Sequence, residues 1–168
     1  AKAIHYARRA AERALQQLAP DEAVRWYRRA LELFEQAADG QAYERGELLI
    51  GLGDALRQTG NPEHRQVLLD AAGLAQELGD TERLCRAVLA NSRGWFSQAG
   101  VVDSARVEAL DAAARALPRD DPRRARVLAL FTIGDTPWTA AQRELIARRV
   151  RSGALVLFTL HSAADSAS

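Results

Sequence analysis

The 168-residue chain is long enough for one domain with a sizeable core, or for one run of helical repeats. Apolar residues make up 48% of it and charged residues 27%, which is typical of a globular protein in water. Its 23 basic and 22 acidic residues leave a net charge of +1. This balance argues against direct binding to nucleic acid or to an anionic membrane.

Cys85 is the only cysteine, which excludes an internal disulfide and fits a reducing compartment. No apolar run approaches the roughly 20 residues that a membrane span needs. We therefore expect a cytoplasmic protein with no membrane contact. Because the chain begins with Ala1 and contains no methionine, we also expect it to be an excised piece of a longer protein.

Apolar periodicity predicts a first helix over 3–18 and a second over 22–37. Pro20 is expected to end the first helix, and Asp21 to cap the second. The apolar stripe of the first helix comprises Ile4, Ala7, Ala11, Ala14, Leu15 and Leu18. That of the second comprises Val24, Tyr27, Leu31 and Phe34, widened by Trp26, Ala30 and Leu33.

The stretch over 47–80 predicts two amphipathic helices joined by a tight turn. Gly60-Asn61-Pro62 separates a helix over 42–59 from one over 62–78, since Gly suits a helix end and Asn a cap. Gly51 and Gly53 inside the third helix indicate close approach of a neighbouring helix. The facing stripes are Leu49, Leu52 and Leu56, and then Val67, Ala71, Leu74, Ala75 and Leu78.

Similar start and stop signals divide the rest of the chain. Asp80-Thr81, Asp103 and Asp121-Pro122 are expected to open the fifth, sixth and seventh helices. Thr139 and Gln142 fit a capping box for the eighth. The predicted spans are 81–98, 104–116, 122 to about 133, 139–151, and a ninth helix within 154–168, where a strand is the alternative.

The turns at Gly60, Gly100 and Gly134 recur at intervals of 40 and 34 residues. Tetratricopeptide repeats are about 34 residues long and related arrays reach about 47. We therefore predict an all-α fold in which antiparallel helix pairs stack as a tetratricopeptide-like α-solenoid of about eight or nine helices. Residues 1–168 would form a single domain, with an irregular helical bundle as the alternative.

Three stretches support a family resemblance: HYARRAAERALQQLAPDEAVRWYRRALEL, ERGELLIGLGDALRQTGNP and LANSRGWFSQAGVVDSARVEALDAA. They resemble the helical, tetratricopeptide-like region of large actinobacterial signalling ATPases, which include LuxR-type transcriptional regulators and ATPase-linked nucleotide cyclases. The resemblance implies a sensor or scaffold that receives a protein or small ligand and biases a neighbouring ATPase. The catalytic motifs of such proteins lie in other domains, so the resemblance implies no catalytic residue here.

Sequence motifs for catalysis, cofactors or metals are absent. There is no GxxxxGK[ST], HExxH, CxxC or GxSxG pattern. Gly51-Leu52-Gly53 lies inside a predicted helix, which favours helix packing over dinucleotide binding. His5, His64 and His161 share no metal-ligand spacing, and Cys85 is expected to be a buried, inert thiol. We therefore expect a non-enzymatic protein with no cofactor.

The most suggestive binding segment breaks the helical pattern of the fifth helix with polar groups, a glycine and two adjacent aromatics. Its candidate residues are Asn91, Arg93, Trp95 and Phe96. Arginine can grip a carboxylate and tryptophan can anchor a partner, although a core aromatic beside a helix kink is the competing interpretation. The first helix of each pair would line a concave surface, where further candidates are Glu47, Asp54, Arg57 and Arg86.

Two functions follow as hypotheses. The first is a module that binds another protein, or another domain of its own chain, within a bacterial signalling or transcriptional regulator. The second is an effector-sensing domain with a small-molecule pocket near Trp95 or Trp138. An enzyme is a third and weaker interpretation. A homodimer through exposed repeat ends is a further expectation.

Overall fold

The computed structural model describes residues 2–37, 41–91 and 103–130. The chain divides into two compact units, Ala1–Thr136 and Pro137–Ser168, and every described residue belongs to the first. The single domain over 1–168 stays a prediction.

Every secondary-structure element of the described residues is an α-helix, which confirms the all-α class. The helices are α1 (Lys2–Gln16), α2 (Pro20–Glu35), α3 (Ala42–Gln58), α4 (His64–Glu77), α5 (Thr81–Ala90), α6 (Ser104–Ala116) and α7 (Pro122–Leu130). Their positions match the first seven predicted helices to within a few residues, apart from the fifth. That helix was predicted to reach residue 98 but gives way at Asn91, and residues 92–98 lie outside the described part, as do the eighth and ninth helices.

Each helix packs against the next one along the chain, from α1 on α2 through to α6 on α7. Apart from α5 and α6, consecutive helices are joined by connections of six residues or fewer, and short connections of this kind join antiparallel neighbours. Alternate helices also touch: α1 meets α3, α3 meets α5, α4 meets α6 and α5 meets α7. A helix in the middle of this order is therefore enclosed on several sides.

The core is centred on α3. Four residues of α1 are buried, all on one stripe: Ile4, Ala7, Ala11 and Ala14. Eight residues of α3 are buried around much of its circumference: Gly46, Leu48, Leu49, Ile50, Leu52, Gly53, Ala55 and Leu56. The difference arises because α3 has neighbours at α1, α2, α4 and α5.

The two internal glycines of α3 allow the close packing that the sequence predicts. A Cβ atom on Gly51 would lie 2.3 Å from Cζ of Tyr27 in α2. One on Gly53 would lie 2.4 Å from Cγ of Leu68 in α4. Both separations are far below van der Waals contact, so α3 fits between α2 and α4 only because these side chains are missing.

Three helix ends share one backbone motif. Leu18, Gly60 and Gly79 have φ values of 57°, 73° and 65°, and the amide after each bonds back five residues to close the helix. This is the Schellman arrangement, in which glycine is the usual occupant. The inclusion of Leu18 in the apolar stripe is wrong, because its left-handed turn lies past the helix and leaves the side chain 85% exposed.

Asp80, Asp103 and Asp121 act as predicted caps. Their carboxylates accept hydrogen bonds from the backbone N–H groups of residues 83, 106 and 123 respectively. The predicted cap at Asp21 is wrong. The turn at Leu18 is followed at once by Pro20 in the first position of α2, so Ala19 is the N-cap residue and forms no side-chain cap. Asp21 lies exposed in the first turn.

Candidate functional site

Ion pairs join alternate helices along the described chain. They connect α2 to the start of α4, α3 to α5, α4 to the start of α6, and α5 to α7. The partners are separated by 35, 39, 38 and 41 residues respectively. The pairs are Arg28–Glu63, Glu47–Arg86, Arg65–Asp103 and Glu82–Arg123. Equivalent contacts therefore recur roughly once per helix pair.

Among the described residues, several polar side chains gather between α3 and α5. We call this group the α3–α5 cluster, and it consists of Tyr43, Glu47, Asp80, Arg83 and Arg86. Oε1 of Glu47 lies 2.7 Å from Nη1 of Arg86 and 2.8 Å from Nε of Arg83. Arg83 also pairs with Asp80, and its Cζ lies 5.3 Å from the centroid of the Tyr43 ring.

The pKa shifts of two members of the cluster, Asp80 and Arg83, favour their charged forms. The hydrogen bond from the Arg83 backbone N–H lowers the pKa of Asp80, and the Arg83 guanidinium lowers it further. Burial on its own would lower the pKa of Arg83, but Asp80 and Glu47 together raise it. Tyr43 is 48% exposed and the Arg86 side chain 45% exposed. The cluster thus presents a fixed aromatic ring and a charged guanidinium to solvent.

The structure brings together only some of the residues that the sequence singled out. Glu47 and Arg86 meet in the α3–α5 cluster. Asp54 and Arg57 pair instead with each other on α3, at 2.6 Å between Oδ1 and Nη2. Asp54 lies two helical turns beyond Glu47 and also accepts a hydrogen bond from Gln58. These two residues therefore form a separate surface pair.

Asn91, which the sequence suggested as a binding residue, is buried and does not lie on the surface. It is 2% exposed, and its Nδ2 donates to the backbone oxygen of Arg65 at 3.2 Å. Its Oδ1 is buried and has no hydrogen-bond partner among residues 2–37, 41–91 and 103–130. Asn91 therefore holds the end of α5 against α4. Arg93, Trp95 and Phe96 lie outside the described residues.

Sequence reasoning missed Tyr43, Asp80 and Arg83 as members of a site. A signal for them exists in the spacing. Tyr43 and Glu47 are four residues apart on α3, and Arg83 and Arg86 are three apart on α5. These spacings place each pair on a single helix face. Which two faces meet, however, depends on how the helices pack.

No group of three or more His, Cys, Asp or Glu residues in ranges 2–37, 41–91 and 103–130 is arranged to hold a metal ion. Cys85 is a free thiol, 1% exposed, and burial raises its pKa. The effector pocket was predicted near Trp95 or Trp138, and both tryptophans lie outside the described residues. An open depression lies elsewhere, on α1, lined by Tyr6, Arg9, Ala10, Glu12, Arg13 and Gln16.

Among the seven described helices, none has the length and apolar character that crossing a membrane requires. No family model, curated protein or solved structure matches this chain.

Proposed function

We propose that the chain is a non-enzymatic helical-repeat module that mediates protein–protein or interdomain contacts in a cytoplasmic bacterial signalling or transcriptional regulator. The observation that carries the proposal is the recurrence of ion pairs between alternate helices at separations of 35–41 residues. In a stacked array each repeat contacts the next in the same way, so equivalent links recur once per repeat. Those separations fall within the range of known helix-pair repeats, about 33–47 residues.

The proposed contact surface is the α3–α5 cluster. Tyr43 supplies a ring that the Arg83 guanidinium holds in place, and Arg86 supplies exposed charge-assisted donors beside it. Aromatic residues and arginine are the side chains most enriched where protein interfaces gain their affinity. Glu47 lies between the two arginines and fixes their geometry, which reduces the entropy lost when a partner carboxylate binds.

Peptides selected for binding from a displayed library would test this role. We expect the variants Tyr43→Ala and Arg86→Ala to weaken binding of the selected peptides about tenfold or more, without a change in helicity. Arg29→Ala is the matched control, because Arg29 forms a similarly exposed ion pair on α2. Selected peptides that bind both cluster variants as tightly as the parent protein would contradict the proposal.

Hydrogen exchange on the full chain would test the repeat architecture that underlies this function. A linear array opens in parts, because each repeat contacts only its neighbours. We expect amides of α1 and α2 to exchange through an opening that leaves α4 and α5 protected. Exchange of all described helices through one common opening would favour the irregular bundle instead. A metabolite that raises the melting temperature and is displaced by no peptide would favour the effector-sensing alternative.

A further inference from the structure

The helix α1 presents one face to solvent along its whole length. Lys2, Tyr6, Arg9, Arg13 and Gln16 follow one another at spacings of four, three, four and three residues, and all five are exposed. We call these residues the α1 outer face. The buried stripe of α1 lies opposite and packs against α2 and α3.

The α1 outer face is strongly cationic. Of its members, Lys2, Arg9 and Arg13 form no ion pair and no side-chain hydrogen bond with the described residues. The sequence of α1 contains four cations and a single carboxylate, Glu12, which lies 3.3 Å from Nε of Arg8. The three cations are therefore available to an external acid.

The same face carries an exposed ring and a concavity. Tyr6 is 68% exposed, the highest value among the large aromatic side chains that the structure describes. It lines an open depression together with Arg9, Ala10, Arg13, Gln16 and Glu12, whose carboxylate is paired with Arg8. Ring and alanine supply apolar area between positive charges, which is the pattern that fits an amphipathic helix.

Comparison of α1 with α3 indicates how such a helix would be seated. Neighbouring helices cover two sides of α3. The helices α1 and α2 cover one side, and α4 and α5 cover the other. On α1, the contacts within the described residues are to α2 and α3. The α1 outer face therefore continues the order in which the helices stack, but with arginines where an internal junction has apolar residues.

We propose that the α1 outer face binds an acidic amphipathic helix of a partner protein. Carboxylates of that helix pair with Lys2, Arg9 and Arg13, and its small apolar residues pack on Tyr6 and Ala10. On an α-helix the three cations are spaced by about 10 Å and about 6 Å along the axis. The partner therefore presents carboxylates seven and four residues apart. This inference rests on the proposed interaction role and defines the class of partner for one of its surfaces.

Fluorescence anisotropy with a labelled synthetic peptide of about 20 residues tests the inference on the full chain. The peptide carries glutamates at that spacing with leucine and alanine on the same face, and a second peptide replaces each glutamate by glutamine. We expect the acidic peptide to bind at low salt, with an affinity that falls about tenfold or more as salt is raised to about 0.5 M. The glutamine peptide should bind at least about tenfold more weakly.

Variants then locate the binding. The double variant R9Q/R13Q should weaken the acidic peptide about tenfold, and Tyr6→Ala about threefold or more, each with unchanged helicity because these side chains are exposed. The control is Arg25→Gln, an exposed arginine on α2. Absence of binding up to about 1 mM peptide, equal binding of the glutamine peptide, or equal binding by R9Q/R13Q would each overturn the proposal.

Failure of this proposal and failure of the interaction role give different results. Peptides selected on the α3–α5 cluster depend on Tyr43 and Arg86, and R9Q/R13Q leaves their binding unchanged. If only the acidic peptide fails to bind, the binding role of the α1 outer face is rejected and the proposed interaction role of the α3–α5 cluster is retained.

Discussion

Arg65 and Asp103 are joined by a two-pronged contact between guanidinium and carboxylate. Nε of Arg65 lies 2.5 Å from Oδ2 of Asp103, and Nη2 pairs with Oδ1. The backbone oxygen of the same arginine accepts a hydrogen bond from Asn91 at 3.2 Å. A single residue of α4 therefore holds both the end of α5 and the start of α6.

Replacing Asp103 separates the effects of pairing and capping. Asp103→Asn keeps an oxygen for the N–H of Arg106 but loses the charge, so we expect a loss of about 1 kcal/mol in the free energy of unfolding. Asp103→Ala also loses the cap and should cost about 2 kcal/mol. Urea denaturation measures both. Asp21→Ala, an exposed residue that caps nothing, should change stability by less than about 0.5 kcal/mol. If Asp103→Ala and Asp21→Ala lowered the free energy of unfolding equally, the pairing and capping role assigned to Asp103 would be refuted.

The glycines of α3 and α4 provide a matched set of substitutions. Gly51→Ala and Gly53→Ala force a methyl group into Tyr27 and Leu68, so we expect each to destabilise the protein by about 1–3 kcal/mol despite better helix propensity. Gly73→Ala meets nothing within 4 Å and should stabilise it by about 0.5–1 kcal/mol. Thermal melts followed by circular dichroism would show opposite shifts. If all three substitutions shifted the melting temperature in the same direction, the close packing of Gly51 and Gly53 against α2 and α4 would be contradicted.

Leu18 occupies a left-handed position that favours glycine. Its side chain is 85% exposed, so replacing it sacrifices little apolar burial. We expect Leu18→Gly to raise the free energy of unfolding by about 0.5–1 kcal/mol. Gly79→Ala, at the equivalent end of α4 with φ of 65°, should lower it by a similar amount. Chemical denaturation of both variants is the measurement, and a destabilised Leu18→Gly would show that its side chain has a role in the turn.

Burial of Tyr27 couples stability to alkaline pH. Desolvation, followed by the charge of Glu12, raises the pKa of Tyr27 from 10.0 to about 12. Because the folded protein favours the neutral phenol, this contribution is fully present below pH 10 and is lost as pH rises through 12. The loss should be about 2–3 kcal/mol. Between pH 9 and 12, the stability of the parent protein relative to that of Tyr27→Phe should fall by that amount. Parallel curves would exclude the coupling.

Cys85 should report on unfolding. Burial raises the pKa of its thiol, which lowers the fraction of reactive thiolate, and the residue is 1% exposed. We expect modification by an aromatic disulfide reagent in native buffer to be at least about a hundredfold slower than in denaturant. A variant that destabilises the fold, such as Gly53→Ala, should react faster. Rapid modification of the native parent protein would mean that α5 opens locally.

The helices could be predicted because their signals are local. Gly60 and Gly79 mark turns with the positive φ that only glycine adopts freely, and Asp80 and Asp103 carry capping oxygens at the right distance from the apolar repeats. Leu18 could not be predicted in the same way. Pro20 marked the break between the two helices, but Leu18 takes up the glycine conformation without being glycine, so no residue type marked the left-handed position itself.

The core and the candidate site could be predicted only in part, because both depend on how helices that are distant in sequence pack together. On α4 the predicted stripe of Val67, Ala71, Leu74, Ala75 and Leu78 is buried at three of its five positions, but Leu74 and Leu78 are only half-buried. Leu68 and Ala72, which the stripe leaves out, are almost wholly buried. A single stripe is too narrow because α4 meets α3, α5 and α6. Likewise, Glu47 and Arg86 are 39 residues apart, so their contact depends on the angle between two helices and not on any local spacing.

The links between alternate helices have a mechanical consequence. Each one lies at a different junction, and none of the four pairs shares a residue with another. Arg28–Glu63 and Arg65–Asp103 close consecutive spans of the chain that do not overlap, so tension applied across the described helices would load these two links in series. The protein should then extend under force in separate steps, each releasing the length of about one hairpin, and behave as a compliant connector between whatever it joins.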